Sequence, residues 1–179
     1  MAGPLKPVAA KFVAQLCPQC GMCCNGVLFK DVELQHGDDA VKLRSLGLPV
    51  SQTRKAKFPQ PCSAFEGCSC RIYADRPVRC RGFDCALLQS LAAGVVNVSA
   101  ATRAIQRTQK LADKVRRLLR QLGDAEEHLA LSLRFRRTQR RLESRQLNDD
   151  TAKIFGQLTL AVHDLNLALR RHFYPAAAD

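Results

Sequence analysis

The stretch Cys17-Pro18-Gln19-Cys20-Gly21-Met22-Cys23-Cys24-Asn25-Gly26 decides what kind of protein this is. A C-x-x-C spacing sets two sulfurs on the same side of a tight knuckle, as tetrahedral coordination needs. Gly21 and Gly26 can take the positive φ values that such knuckles use. Cys23 and Cys24 are adjacent, so their side chains diverge whether the backbone is extended or helical. They would therefore serve different metals, or opposite sides of one polynuclear cluster.

Working outward, five more thiols follow at Cys62, Cys68, Cys70, Cys80 and Cys85, and the chain has none after that. Met1 to Leu16 has two lysines, two prolines and only a short apolar stretch, which does not read as a secretory leader. An odd count of nine cysteines with close spacing argues against a disulfide framework and for metal ligation in a reducing cytosol. No apolar run approaches the roughly 18 residues of a membrane helix. Arg71, Arg76, Arg79 and Arg81 crowd round the later cysteines, and their charge offsets that of thiolates held by a divalent metal. Formal net charge is +12. Eight thiolates around two divalent ions would add −4, leaving about +8.

Two ordered motifs, C-x-x-C-G-x-C-C and C-x-I-Y-x-x-R-P-x-x-C-R-x-F-x-C, make the chain resemble the YkgJ-type cysteine-cluster proteins, described as zinc- or iron-chelating. The resemblance runs through Cys17, Cys20, Gly21, Cys23 and Cys24, then Cys62, Cys70, Ile72, Tyr73, Arg76, Pro77, Cys80, Arg81, Phe83 and Cys85. It covers about residues 17 to 85 and leaves Cys68 outside the pattern. It implies ligation by Cys17, Cys20, Cys23, Cys24, Cys62, Cys70, Cys80 and Cys85. Tyr73, Arg76, Arg79 and Arg81 would surround the ligands, with Tyr73 covering the centre. All-sulfur ligation suits zinc or an iron–sulfur cluster and disfavours magnesium, calcium and manganese. Spacing alone does not choose the metal or the number of centres.

Composition divides the chain. Residues 1–88 hold every cysteine, seven of eight prolines and seven of ten glycines, and read as a cysteine-cluster metal-binding module. Residues 89–179 read as a basic helical bundle. The expected fold class is mainly α: a loop-rich cysteine module, with short strands at most, packed on three antiparallel C-terminal helices joined by tight turns. Within the module, Val8–Leu16 suits a short helix, Val27–Leu34 a strand, and Asp38 or Asp39 a cap for a helix ending at Gly47. Residues 51–67 read as irregular. In the bundle, Ser99 is expected to cap the first helix, Asp124 the second and Asn148 the third. Leu160, Val162, Leu167 and Leu169 widen the apolar face of the third, which makes it the helix expected to be most buried.

Residues 101–147 carry thirteen lysine or arginine residues against five acidic ones. Arg134, Arg136, Arg137, Arg140 and Arg141 form a candidate surface for an acidic protein or a nucleic acid. The one aromatic residue among them, Phe135, lies on the apolar stripe of the helix, so stacking on single strands is not expected. None of the four histidines shares ligand spacing with another. There is no H-E-x-x-H, G-x-S-x-G, phosphate-binding G-x-x-x-x-G-K or G-x-G-x-x-G. A similar cysteine cluster occurs in the flagellin lysine N-methylases, but no other part of such an enzyme is legible. Three functions stay open: a metal-chelating protein, an iron–sulfur-dependent redox or protein-modifying enzyme component, and a nucleic-acid-associated adaptor with a structural metal module. Without a catalytic motif, the balance leans away from an enzyme.

Overall fold

The computed structural model describes residues 7–175, so the first six residues of the stretch read as lacking a leader lie outside it. In order, the elements are α1 (Pro7–Cys20), β1 (Asp31–Glu33), α2 (Ala40–Ser45), β2 (Lys57–Pro59), β3 (Phe65–Glu66), β4 (Ser69–Cys70), a 3-10 turn (Tyr73–Asp75), α3 (Val78–Arg81), α4 (Ala86–Ala92), α5 (Val98–Gln121), α6 (Leu131–Glu143) and α7 (Asp149–His172). The protein is mainly α, as expected. No described helix is long and apolar enough to cross a membrane.

Helix α5 is the spine. Its stripe Ala101, Ile105, Thr108, Ala112, Val115 and Leu119 is buried throughout, following the 3.6-residue period. Asn97, rather than Ser99, caps it by accepting from the Ala100 N–H at 2.9 Å. Asn148 caps α7 as expected, accepting from the Thr151 N–H at 2.8 Å. Helix α7 runs antiparallel to α5: the Arg107 charge reaches His172 in its last turn, and the Phe173 carbonyl accepts from Ala86.

Three expectations for this half need correction. Leu160 and Leu167 are 66% and 54% exposed, because each lies about 200° round the helix from Leu158 and Leu165 on the buried line. Helix α5, not α7, is therefore the more deeply packed. Asp124 does not cap the next helix; it turns inward to meet Arg134, and α6 starts only at Leu131. The link from α5 to α6 is thus a nine-residue loop instead of a tight turn, and α6 packs on the end of α5. The helical core is completed instead by α1 and α4, with Leu16, Met22, Val27, Leu28, Leu87 and Leu91 joining the α5 and α7 side chains.

A second, smaller core lies among residues 31–80: Val32, Leu43, Leu48, Val50, Phe58, Ala64 and Ile72. The expected strand shrinks to β1, which pairs antiparallel with β2 (Val32 opposite Phe58) inside the stretch read as irregular. Val27 and Leu28 instead enter the helical core. A tiny hairpin pairs β3 with β4, Phe65 opposite Cys70, turning at Gly67 and Cys68 with φ of +51° and +68°. Asp39 caps α2 by accepting from the Val41 and Lys42 N–H groups, and Gly47 follows it at φ +89°.

Candidate metal centre

Cys17 and Cys20 occupy the last turn of α1, so they share a face by helical i, i+3 spacing and not through the knuckle expected from C-x-x-C. Gly21 ends the helix at φ +65°, and the chain then turns on itself: the Cys24 and Asn25 N–H groups both donate to the Gly21 carbonyl at 2.9 Å. This turn carries Cys23 and Cys24 while burying Met22 in the helical core. From α5, the Gln109 side-chain amide donates to the Gln19 carbonyl at 2.8 Å and approaches that of Cys20 at 3.3 Å. It thereby satisfies carbonyls left over at the end of α1.

Gly26 closes the turn at φ +76°, and its carbonyl accepts from the Leu131 N–H at 2.9 Å. A Cβ there would stand 3.1 Å from the Ala130 Cα and from two ring carbons of Pro61, none of which can swing aside. Gly37 has φ +92° but open space around it. Gly26→Ala is therefore expected to cost more in urea denaturation than Gly37→Ala, which carries only the backbone strain of about 1–3 kcal/mol. Equal losses would refute the crowding.

The second group of cysteines is brought to the first by a backbone bond, the Cys62 N–H donating to the Cys24 carbonyl at 2.8 Å. Cys70 ends β4, Cys80 sits in α3, and Cys85 precedes α4. The α3 segment is held by Asp38, which accepts from the Val78 N–H at 2.8 Å, and the neighbouring turn by the Lys42–Asp75 ion pair at 2.7 Å. All nine cysteines are unpaired.

Burial is the main influence on these thiols, and their mutual repulsion adds to it. From the ordinary 9.0, Cys17 is pushed up to about 11, although its surface reaches solvent, by the crowding around it and then by Cys85. Cys20, Cys24 and Cys80 are each pushed up to about 12, and Cys23 is also pushed well up. After burial, Cys23 feels Cys20, and Cys24 feels Cys62, Cys80 and Cys70. Opposing burial at Cys62 are the N–H groups of Ala64 and Phe65. At Cys85 the Leu88 and Leu87 N–H groups oppose it, although neither is close enough to count as a capping bond. Amides two and three residues ahead of a sulfur thus favour its thiolate.

Arg76 is the arginine most involved with the thiols. Its cation lowers both Cys17 and Cys80. Its guanidinium lies 3.6 Å above the Tyr73 ring, and its Nε donates to the Tyr73 carbonyl at 2.9 Å. Tyr73 is 52% exposed, and its ring supports Arg76. Arg71 lowers Cys62. Arg79 and Arg81 are exposed on α3.

Among the described residues no three His, Cys, Asp or Glu side chains converge closely enough to hold a metal ion. The donor set still fits zinc or iron: eight unpaired sulfurs from two segments, with cationic and N–H partners that favour thiolates. Cys68 is exposed on the hairpin turn, and its charge acts on Cys20 only as the weakest influence there.

The basic surface is smaller than the sequence suggested. Arg134 is 3% exposed and ion-paired with Asp124, so it leaves the candidate surface. Arg137 pairs with Glu126, and Arg141 donates to the Leu122 carbonyl at 2.6 Å. Among the described residues, Arg136 and Arg140 alone of the five are exposed with no protein partner. Sequence reasoning missed Gln109 and Phe65, whose ring covers Gly21; neither belongs to a local motif that would have marked it.

A family model, "CxxCxxCC: Putative zinc- or iron-chelating domain", matches residues 16–113, more than half of the chain. The match reaches well beyond residue 85, where the resemblance read from the motifs stopped, and takes in the first two-thirds of α5 with Gln109. No curated protein and no solved structure matches.

Proposed function

This chain belongs to the CxxCxxCC family, and we propose that it chelates zinc or iron through Cys17, Cys20, Cys23, Cys24, Cys62, Cys70, Cys80 and Cys85. The observation that carries this reading is the juncture of the two cysteine groups at the Cys62–Cys24 backbone bond, with every thiol unpaired. Zinc would give closed, redox-silent sites; iron, as an iron–sulfur cluster, would add electron-transfer chemistry. The chain's own part is to gather the sulfurs, screen most of them partly from water, and offset their charge with Arg76 and Arg71. Free thiols in this number suit a reducing compartment, and we place the protein in the cytoplasm.

Elemental analysis of anaerobically purified protein, with its UV–visible spectrum, tests the proposal. At least one equivalent of metal is expected. Brown protein with broad visible absorbance assigns iron, and colourless zinc-loaded protein assigns zinc. Metal-free protein that gains nothing on incubation with either ion would sink the reading.

A further inference from the structure

The eight sulfurs rest on two different cores. Cys20, Cys23 and Cys85 pack against the helical core, whereas Cys62, Cys70 and Cys80 pack against the smaller one. Cys17 lies one turn before Cys20 on the same face of α1, which assigns it to the helical side. The Cys24 carbonyl holds the Cys62 backbone, which assigns Cys24 to the other side. The division between sides falls at the Cys23–Cys24 peptide.

Resting on the chelation reading, we infer that the chain builds two separate four-sulfur centres, one from Cys17, Cys20, Cys23 and Cys85, the other from Cys24, Cys62, Cys70 and Cys80. Four thiolates complete the shell of a structural zinc ion or anchor one iron–sulfur cluster, so neither centre needs a ligand from the other. Each four-thiolate centre with a divalent metal carries net −2, and the two would repel across one peptide bond. Arg76 faces a member of each set, Cys17 and Cys80, and its cation offsets that repulsion. Cys68, on its exposed turn, belongs to neither set. A single eight-sulfur cluster would instead have to draw Cys85 and Cys80 together from segments that pack on different cores.

The test is an anaerobic titration of metal-stripped full-length protein with Co²⁺, read by the intense visible bands of tetrahedral cobalt thiolate. The wild type is compared with Cys17→Ser/Cys85→Ser and with Cys62→Ser/Cys80→Ser, and circular dichroism reports folding. Two equivalents are expected for the wild type. Each variant should keep one, with about half the cobalt absorbance and the band positions of its intact set. A variant that loses its helical signal leaves the reciprocal variant to decide. Loss of all tetrahedral cobalt in a folded variant, or wild-type saturation at one equivalent, would overturn the division into two centres but leave chelation standing. A wild type that takes up no cobalt would sink both.

Discussion

Removing the metal should unfold residues 31–80 while α5 and α7 keep their protection against hydrogen exchange. The physical reason is the poverty of the smaller core. It buries seven apolar side chains, one of them an alanine, among strands of two or three residues. Isolated two-stranded sheets are marginal in water. A unit of about 50 residues with so little buried surface commonly needs a metal or a disulfide to hold its fold. The cysteines here are unpaired, so no disulfide contributes. Structural zinc supplies roughly 10–16 kcal/mol of apparent binding free energy in finger peptides, and that energy is folding energy. The helical core, with twenty buried residues, has no such dependence. Exchange measured by mass spectrometry on chelated and loaded protein should show losses of at least about 100-fold in peptides covering β1 to α3, where about 1.4 kcal/mol is tenfold. Peptides within residues 98–121 and 149–172 should change far less. Equal protection across residues 31–80 in the two states would remove the metal from the folding argument.

This asymmetry explains what could be read in advance. Thiolate coordination imposes its own spacing, so the ligand candidates and the glycines beside them stand out from the chain alone. Long amphipathic helices advertise themselves equally well, and α5 and α7 follow their apolar periods. The failures lie where one residue type supports two local stories. Asp124 after Gly123 looks like a helix cap, but its carboxylate is buried against Arg134. Arg134 sits in a run of arginines that reads as a basic face. Its position three residues after Leu131 and four before Thr138 places it on the buried stripe, and that was the available signal. Nothing local announces that Gln109, more than eighty residues along the chain, closes the carbonyl end of α1. Contacts of that kind depend on how helices dock, which periodicity does not specify.

Arg134→Ala is the substitution expected to damage the helical half most. The Arg134 Nε donates to Asp124 Oδ2 at 2.7 Å, and Nη2 lies 2.6 Å from the same oxygen without hydrogen-bond alignment. Both side chains are below 5% exposed. Truncating the arginine leaves a carboxylate with neither water nor a counter-ion, and breaking such a pair costs about 3–5 kcal/mol. At about 2–4 °C per kcal/mol for a chain of this size, the midpoint of thermal unfolding should fall by roughly 6–20 °C. The pair itself need not be strongly stabilising, because burying both charges offsets much of their attraction. Replacing both partners, as Arg134→Met with Asp124→Leu, should therefore recover most of the loss. The pair also bears on the cysteines. It fixes the loop that delivers the Leu131 N–H to the Gly26 carbonyl, which closes the turn carrying Cys23 and Cys24. Arg134→Ala should accordingly weaken cobalt binding as well as stability, and the double replacement should restore both together. A single-variant loss within about 1 kcal/mol, the range of exposed pairs, would mean that water reaches Asp124 in solution.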